Sequence, residues 1–491
     1  MRECGVLLPI SSLPSKYGIG CFSKSAYEFV DSMASGGQSY WQILPLGPTG
    51  YGDSPYQSFS TYAGNPYYID LEQLIWDGLL SEKDCMRWNF HEDERMVDYG
   101  KVYLSRKELL FQAFTTAKPE CKPEFLSFCN AQAFWLEDYA LFMAVKDLFS
   151  GAPWQEWDID IKLRKPEALE EYRQKLKIEV NYYKYIQYLF YDQWKRLKGY
   201  ANERGIKIIG DIPIYVALDS ADTWSQSDHF LFDENKMPSQ VAGCPPDAFA
   251  KEGQLWGNPV YNWQVHKESK YRWWVSRIRH CTQLYDVTRI DHFRGFDEYY
   301  SIPAQEKTAR QGSWRQGPGY DLFQTLKTEL GSIRIIAEDL GYMNESVKEL
   351  LRKTGYPGMK ILQFAFDSRE TSNYLPHNYE RNCVVYTGTH DNDTLLGWYR
   401  SLNEKDKCLA REYSGIRAEE DCCRRLLSLA YGSVADLVVI PIQDFLKLGS
   451  EGRINRPSTV GGNNWRWRLK AGELTAEIIK EMKFLAKLYE R

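Results

Sequence analysis

No apolar run in the 491 residues approaches the ~20 that a membrane span requires. A basic block is also missing. Lys and Arg number 61 against 66 Asp and Glu, a formal charge of -5, so nothing supplies the positive field that nucleic acid or an acidic membrane surface would need. Neither partner is expected. The eleven cysteines (4, 21, 85, 121, 129, 244, 281, 383, 408, 422 and 423) are odd in number, widely spaced and without a CxxC pair, so they read as reduced thiols. At the N-terminus Glu3 spoils a basic leader and Pro9 breaks the apolar run, so no secretory signal is expected. Cytoplasmic residence is the expectation. There is no internal repeat and no low-complexity tract. Aromatics, in contrast, are abundant at 15%, with 16 Trp and 34 Tyr; such rings either fill a core or stack on flat ligands such as sugars.

Short runs rich in Val, Ile and Leu recur eight times, at 5–9, 40–46, 206–211, 285–291, 333–339, 359–364, 383–391 and 435–441. From the third onward they are nearly continuous rather than alternating, as parallel strands covered on both faces are. Helical patterns lie between several, for instance at 25–37 and 346–355. Eight such runs with polar residues at their ends predict an α/β protein, a (β/α)₈ TIM barrel spanning 1–491. A Rossmann-like sheet is the alternative. It is disfavoured because no GxGxxG opens a helix after the first strand and because the polar strand ends are spread across the chain. Insertions are expected at 63–165, a mainly helical subdomain with a helical pattern over 103–150 that leads into a barrel helix over 167–205; at 212–270, as shaped cleft loops; and at 445–468, as a mobile rim loop.

Three strand ends carry acids. The fourth run closes on Arg289 and Asp291, two apart and therefore on one face of an extended segment, with the cation favouring an ionised carboxylate. The fifth closes on Glu338 and Asp339, of which Glu338 is the better acid by reach, while Asp339 suits a turn before Leu340 and Gly341. The seventh ends in a polar knot holding His390 and Asp391 after Gly388. For each, a structural ion pair or turn remains the competing reading. No metal is called for, since no acidic loop of calcium-binding spacing occurs. One carboxylate to attack, one acid to protonate and a third to hold hydroxyls is the division of labour for glycosidic cleavage with retention.

Segments 10–20, 47–70 (GPTGYGDSPYQSFSTYAGNPYYID), 210–224, 243–263 (GCPPDAFAKEGQLWGNPVYNW), 289–296 (RIDHFRGF), 337–341, 388–394 (GTHDNDT) and 455–468 (NRPSTVGGNNWRWR) together resemble glycoside hydrolase family 77, the 4-alpha-glucanotransferases or amylomaltases, over essentially the whole chain. The resemblance implies Asp291 as nucleophile, Glu338 as general acid/base and Asp391 as holder of sugar hydroxyls, with Arg289 and His390 as their neighbours. It implies malto-oligosaccharides, amylose or glycogen-derived glucans as substrates, and no cofactor. Asp211 aligns with the first alpha-amylase motif, but Tyr215 and Val216 follow where amylases usually have Asn-His, which argues against an ordinary amylase and its calcium site and leaves Asp211 a structural or sugar-hydroxyl-binding role. Cys244 and Ala248 stand where relatives often carry Val and Tyr. Rim residues with sugar-binding chemistry are Tyr51, Asp53, Tyr56, Trp256 and Asn258, and Asn463 and Asn464 follow a Gly-Gly pair; burial or turn formation is the plain alternative for each. Three functions stay open here: glucan transfer, maltodextrin hydrolysis with the same acids, and non-catalytic glucan binding, disfavoured by the intact acid trio.

Overall fold

A computed structural model describes residues 2–50, 52–90, 93–246, 251–341 and 343–491. All eight apolar runs form strands: β1 (Glu3–Leu7), β2 (Tyr40–Gln42), β3 (Lys207–Ile212), β4 (Val287–Ile290), β5 (Ile335–Ala337), β6 (Gly358–Ile361), β7 (Cys383–Tyr386) and β8 (Leu437–Pro441). They pair in parallel, in the order β6-β7-β8-β1-β2-β3-β4-β5. The ring closes between β5 and β6. There the Ala337 N–H donates to the Pro357 carbonyl at 3.0 Å, and the Asp339 carboxylate accepts the Met359 N–H at 2.6 Å. Asp339 is thus a seam residue, which leaves Glu338 as the acid at the mouth. The fold is a (β/α)₈ barrel.

The pleat sorts side chains into two cores. Leu7, Tyr40, Ile209, Val287, Ile336, Met359, Ile361, Val384, Tyr386 and Val439 fill the lumen. The alternate residues, such as Val6, Trp41, Ile208, Ile290, Val385 and Val438, pack in a larger cluster with residues of the helices. Continuous apolar runs are what burial on both faces demands. Helix Lys24–Ser35 follows β1, and helix Glu345–Thr354, capped by Asn344 and ended by Gly355 at φ 70°, follows β5.

Between β2 and β3 the chain runs through helices Tyr99–Ala117, Pro123–Leu148, Pro166–Lys175 and Lys177–Glu203. The helix expected without interruption over 167–205 breaks at Leu176, which turns to φ -108°, ψ 28° and buries its side chain. The segment 212–270, expected as shaped cleft loops, also holds regular strands. Strands Gln240–Cys244 and Gln254–Pro259 lie there and join Glu298–Pro303 and Ser313–Gln316 in a four-stranded antiparallel sheet. Gly243, Gly257 and Pro259 mask the strand pattern, and half of the partners come from beyond β4. Gly243 is obligatory, because a Cβ there would meet the Gln254 carbonyl at 2.1 Å. Among the described residues no helix is long and apolar enough to cross a membrane.

Candidate active site

The strand ladders deliver two of the three acids. Beyond β4 the Asp291 N–H donates to the Ile212 carbonyl at 2.9 Å, and beyond β5 the Glu338 N–H donates to the Ile290 carbonyl at 3.1 Å. Asp291 and Glu338 therefore sit one residue past adjacent strands, whose axes are about 4.8 Å apart in any sheet. Below them, the register sets Asp211 of β3 beside Arg289 of β4, both in the lumen. Arg289 holds Asp211 by two bonds of 2.8 and 2.7 Å from one nitrogen, and its other terminal nitrogen donates to Asp291 Oδ1 at 3.0 Å. The Tyr56 hydroxyl donates to Asp211 at 2.8 Å. With no exposed surface and three hydrogen bonds already on its oxygens, Asp211 supports Arg289 rather than meeting a ligand. Burial pushes its carboxyl above the ordinary value, against the opposing pull of Arg289.

His292 turns into the left-handed region at φ 51°, which is how its N–H reaches Glu338 Oε2 at 2.7 Å. The Leu340 N–H takes Oε1 at 2.9 Å. Burial, then the charge of Asp291, raise the Glu338 carboxyl to about 7, while Arg289 and these two N–H groups oppose the shift. A carboxyl so poised can give a proton near neutrality and take one back. His292 itself is pushed down to about 4 by burial, so it faces the site as a neutral ring.

Beyond β7, Gly388 leaves room for Gln363, whose amide nitrogen would lie 2.7 Å from an added Cβ. His390 is buried and stacks on Tyr56, ring centroids 5.2 Å apart and 20° off parallel, with Nε2 3.5 Å from Asp391 Oδ2. Asp391 is also gripped from far along the chain: Asn455 Nδ2 donates to Oδ1 at 2.6 Å and Arg453 donates to its carbonyl at 2.7 Å. The side chains of Asp291 and Asp391 remain 32% and 44% exposed, so both face solvent above the lumen.

The cleft has two lobes that share Asp291, Tyr56, Trp256, Asn455 and the segment 457–460. One, of about 320 Å³, extends over Pro213, Tyr215, Asn258 and His292; the other, of about 580 Å³, extends over His390, Asp391, Gln254 and Lys307. Val460 reaches across to Gly52, where a Cβ would meet its Cγ1 at 3.2 Å, so segment 457–460 roofs the cleft. Trp256 stands edge-on to His292 at 4.9 Å. Asn258 faces the smaller lobe but its amide is already bonded to Val216 and Gln57.

Other rim expectations fare differently. Asp53, left-handed at φ 59°, lines a small void behind Trp465 instead of either lobe. Asn463 is exposed and lines neither lobe. Asn464 is buried and ties its own loop together, accepting the Arg456 N–H at 3.0 Å and donating to Thr459 Oγ1 at 2.9 Å. Tyr51 and Ala248 lie outside the described residues. Reading along the chain missed His292 and Asn455. Asn455 is 64 residues from Asp391 and no local pattern links them; His292 was passed over beside the more conspicuous acid.

The sequence profile of the 4-alpha-glucanotransferases, glycoside hydrolase family 77, matches residues 8–475. The 4-alpha-glucanotransferase of Clostridium butyricum is 50% identical over 486 residues, covering 98% of this chain and 99% of that one. That of Streptococcus pneumoniae is 46% identical over 496 residues, covering 100% and 97%. The amylomaltase of Streptococcus agalactiae, solved in complex with acarbose, superposes with a TM-score of 0.98 at 42% identity, each chain covered in full. By profile, full-length identity and superposition, the chain belongs to glycoside hydrolase family 77, the 4-alpha-glucanotransferases.

Proposed function

We propose that this chain cuts an α-1,4 bond of a donor malto-oligosaccharide and passes the glycosyl fragment, with retention, to the 4-hydroxyl of a second glucan or of glucose. Glu338 donates its proton to the glycosidic oxygen while an Asp291 oxygen bonds the anomeric carbon, so the C1–O bond breaks and the reducing-end fragment leaves. Glu338, now ionised, takes the acceptor's 4-hydroxyl proton as that oxygen displaces Asp291. Asp391 binds sugar hydroxyls beside the reacting carbon, and Arg289, backed by Asp211, fixes Asp291. Tyr56, Trp256 and His390 offer ring and hydrogen-bonding surface to the chain. The observation that carries this reading is the departure of Asp291 and Glu338 from adjacent strands, with Glu338 raised to about 7 by burial and by Asp291.

The likeness to an amylomaltase solved with acarbose supports a glucan in the cleft, and the roof over both lobes favours a sugar over water as acceptor. Free thiols at all eleven cysteines support a reducing compartment, the cytoplasm. A mass-spectrometric time course with maltotriose tests the reaction. Longer oligomers together with glucose are expected, at nearly constant reducing ends. Shorter sugars with a matching rise in reducing ends would assign a hydrolase, and binding without turnover would assign a glucan-binding protein.

A further inference from the structure

A second recess, of about 330 Å³, shares no lining residue with the two lobes of the cleft. Three parts of the chain build it: helix Pro123–Leu148 gives Phe134, Trp135 and Asp138; helix Arg272–Leu284 gives Arg272, Trp273 and Ser276; and the segments around Tyr62 and Gln226 complete the wall. Its size matches the smaller catalytic lobe. Its chemistry matches too. Phe134 is 60% exposed at the rim, edge-on to Tyr62 at 5.4 Å, and so presents a free ring. Arg272 and Gln226 are exposed, and no side-chain hydrogen bond or ion pair engages either among the described residues. Ser276 accepts from Tyr62 at 3.2 Å and keeps its own proton to give.

Charge narrows the ligand. Arg272 is opposed by Asp138 and Asp222, the former paired with Arg164 at 2.7 Å and the latter holding Thr61 by two bonds of 2.8 Å. With cations and carboxylates balanced, the recess favours neither a phosphate nor a metal ion. A neutral ligand with an apolar face and hydroxyls that both give and accept fits it. We propose that this recess is a second saccharide site, which holds a distal stretch of a long α-glucan while another part of that chain, or another chain, reacts in the cleft; the choice of glucan rests on the function proposed above.

The test compares the wild-type chain with Phe134→Ala, Arg272→Ala and the pair. On maltotriose, whose turnover needs the cleft alone, the variants should keep wild-type kcat and KM. On amylose their KM should rise about fivefold, the scale of one lost ring contact, with kcat unchanged. Calorimetric titration of the inactive Asp291→Asn chain with maltotriose should give two sites, reduced to one by the added pair of substitutions. Wild-type kinetics on amylose in folded variants, or a single site before the pair is added, would overturn the proposal. Failure of the wild-type chain to rearrange maltotriose would instead overturn the catalytic reading, and the titration would still decide the recess.

Discussion

At the scale of single residues, the site is a stack in which each layer fixes the one above. Asp211 is wholly buried, Arg289 is 4% exposed, and Arg289 connects Asp211 in the lumen to Asp291. Removing Asp211 strands a buried guanidinium, so Asp211→Ala is expected to lower stability by about 3–5 kcal/mol, read by chemical denaturation. A loss under about 1 kcal/mol would contradict the buried pairing. As the proposed acid, Glu338 is expected to set the alkaline limb of activity. Since its carboxyl is raised to about 7 and is needed protonated for donor cleavage, kcat/KM should fall tenfold per unit above about pH 7. Glu338→Gln should abolish that limb along with most of the rate; persistence of the limb would assign the acid elsewhere. Asn455 is expected to act through Asp391, which it holds at 2.6 Å. Asn455→Ala should lower kcat by about 10–100-fold, the cost of a misplaced group, with the fold intact by circular dichroism.

Elements explain what could be seen in the sequence and what could not. The eight barrel strands were legible because burial on both faces writes them as unbroken apolar runs, and even three-residue β5 stands out as Ile335, Ile336, Ala337. Asp291 and Glu338 were legible because they directly follow such runs. The antiparallel sheet was not, since its strands carry Gly243, Gly257 and Pro259 and find half their partners past β4. Nor could the roof be placed: segment 457–460 meets the 50s loop only because the barrel closes and brings β8 beside β1. That roof is expected to decide the fate of the glycosyl fragment. Replacing residues 457–460 by two glycines should raise the share of fragments captured by water, measured as new reducing ends per bond broken. An unchanged share would show that the roof excludes no water.

The whole molecule carries a pH dependence of its own. Burial pushes His266 down to about 3, and His280 and His292 down to about 4, so the folded state holds them neutral. The unfolded chain takes up their protons below about 6.5, and it then binds more protons than the folded one. Their stabilisation is therefore complete above 6.5 and is lost as pH falls toward 4. Glu338 and Asp444, raised by burial to about 7 and about 6, work in the opposite sense: the folded state keeps their protons, so their contribution grows as pH falls through that range. A single histidine separates the two effects. Urea denaturation at pH 7 and pH 4.5 should show wild type losing about 2–3 kcal/mol more than His280→Gln, and equal losses would mean that His280 is not held neutral.

All of these scales meet in one proposed bond, the ester between Asp291 and the donor's anomeric carbon. Glu338→Gln given α-maltotriosyl fluoride, whose leaving group needs no acid, should form that ester and, lacking the base, hold it long enough to weigh. Digestion and mass spectrometry should then find one maltotriosyl unit on the peptide containing residues 289–296, fragmenting to Asp291. An adduct on Asp391, or release of sugar with no adduct under conditions where the fluoride is consumed, would contradict the account.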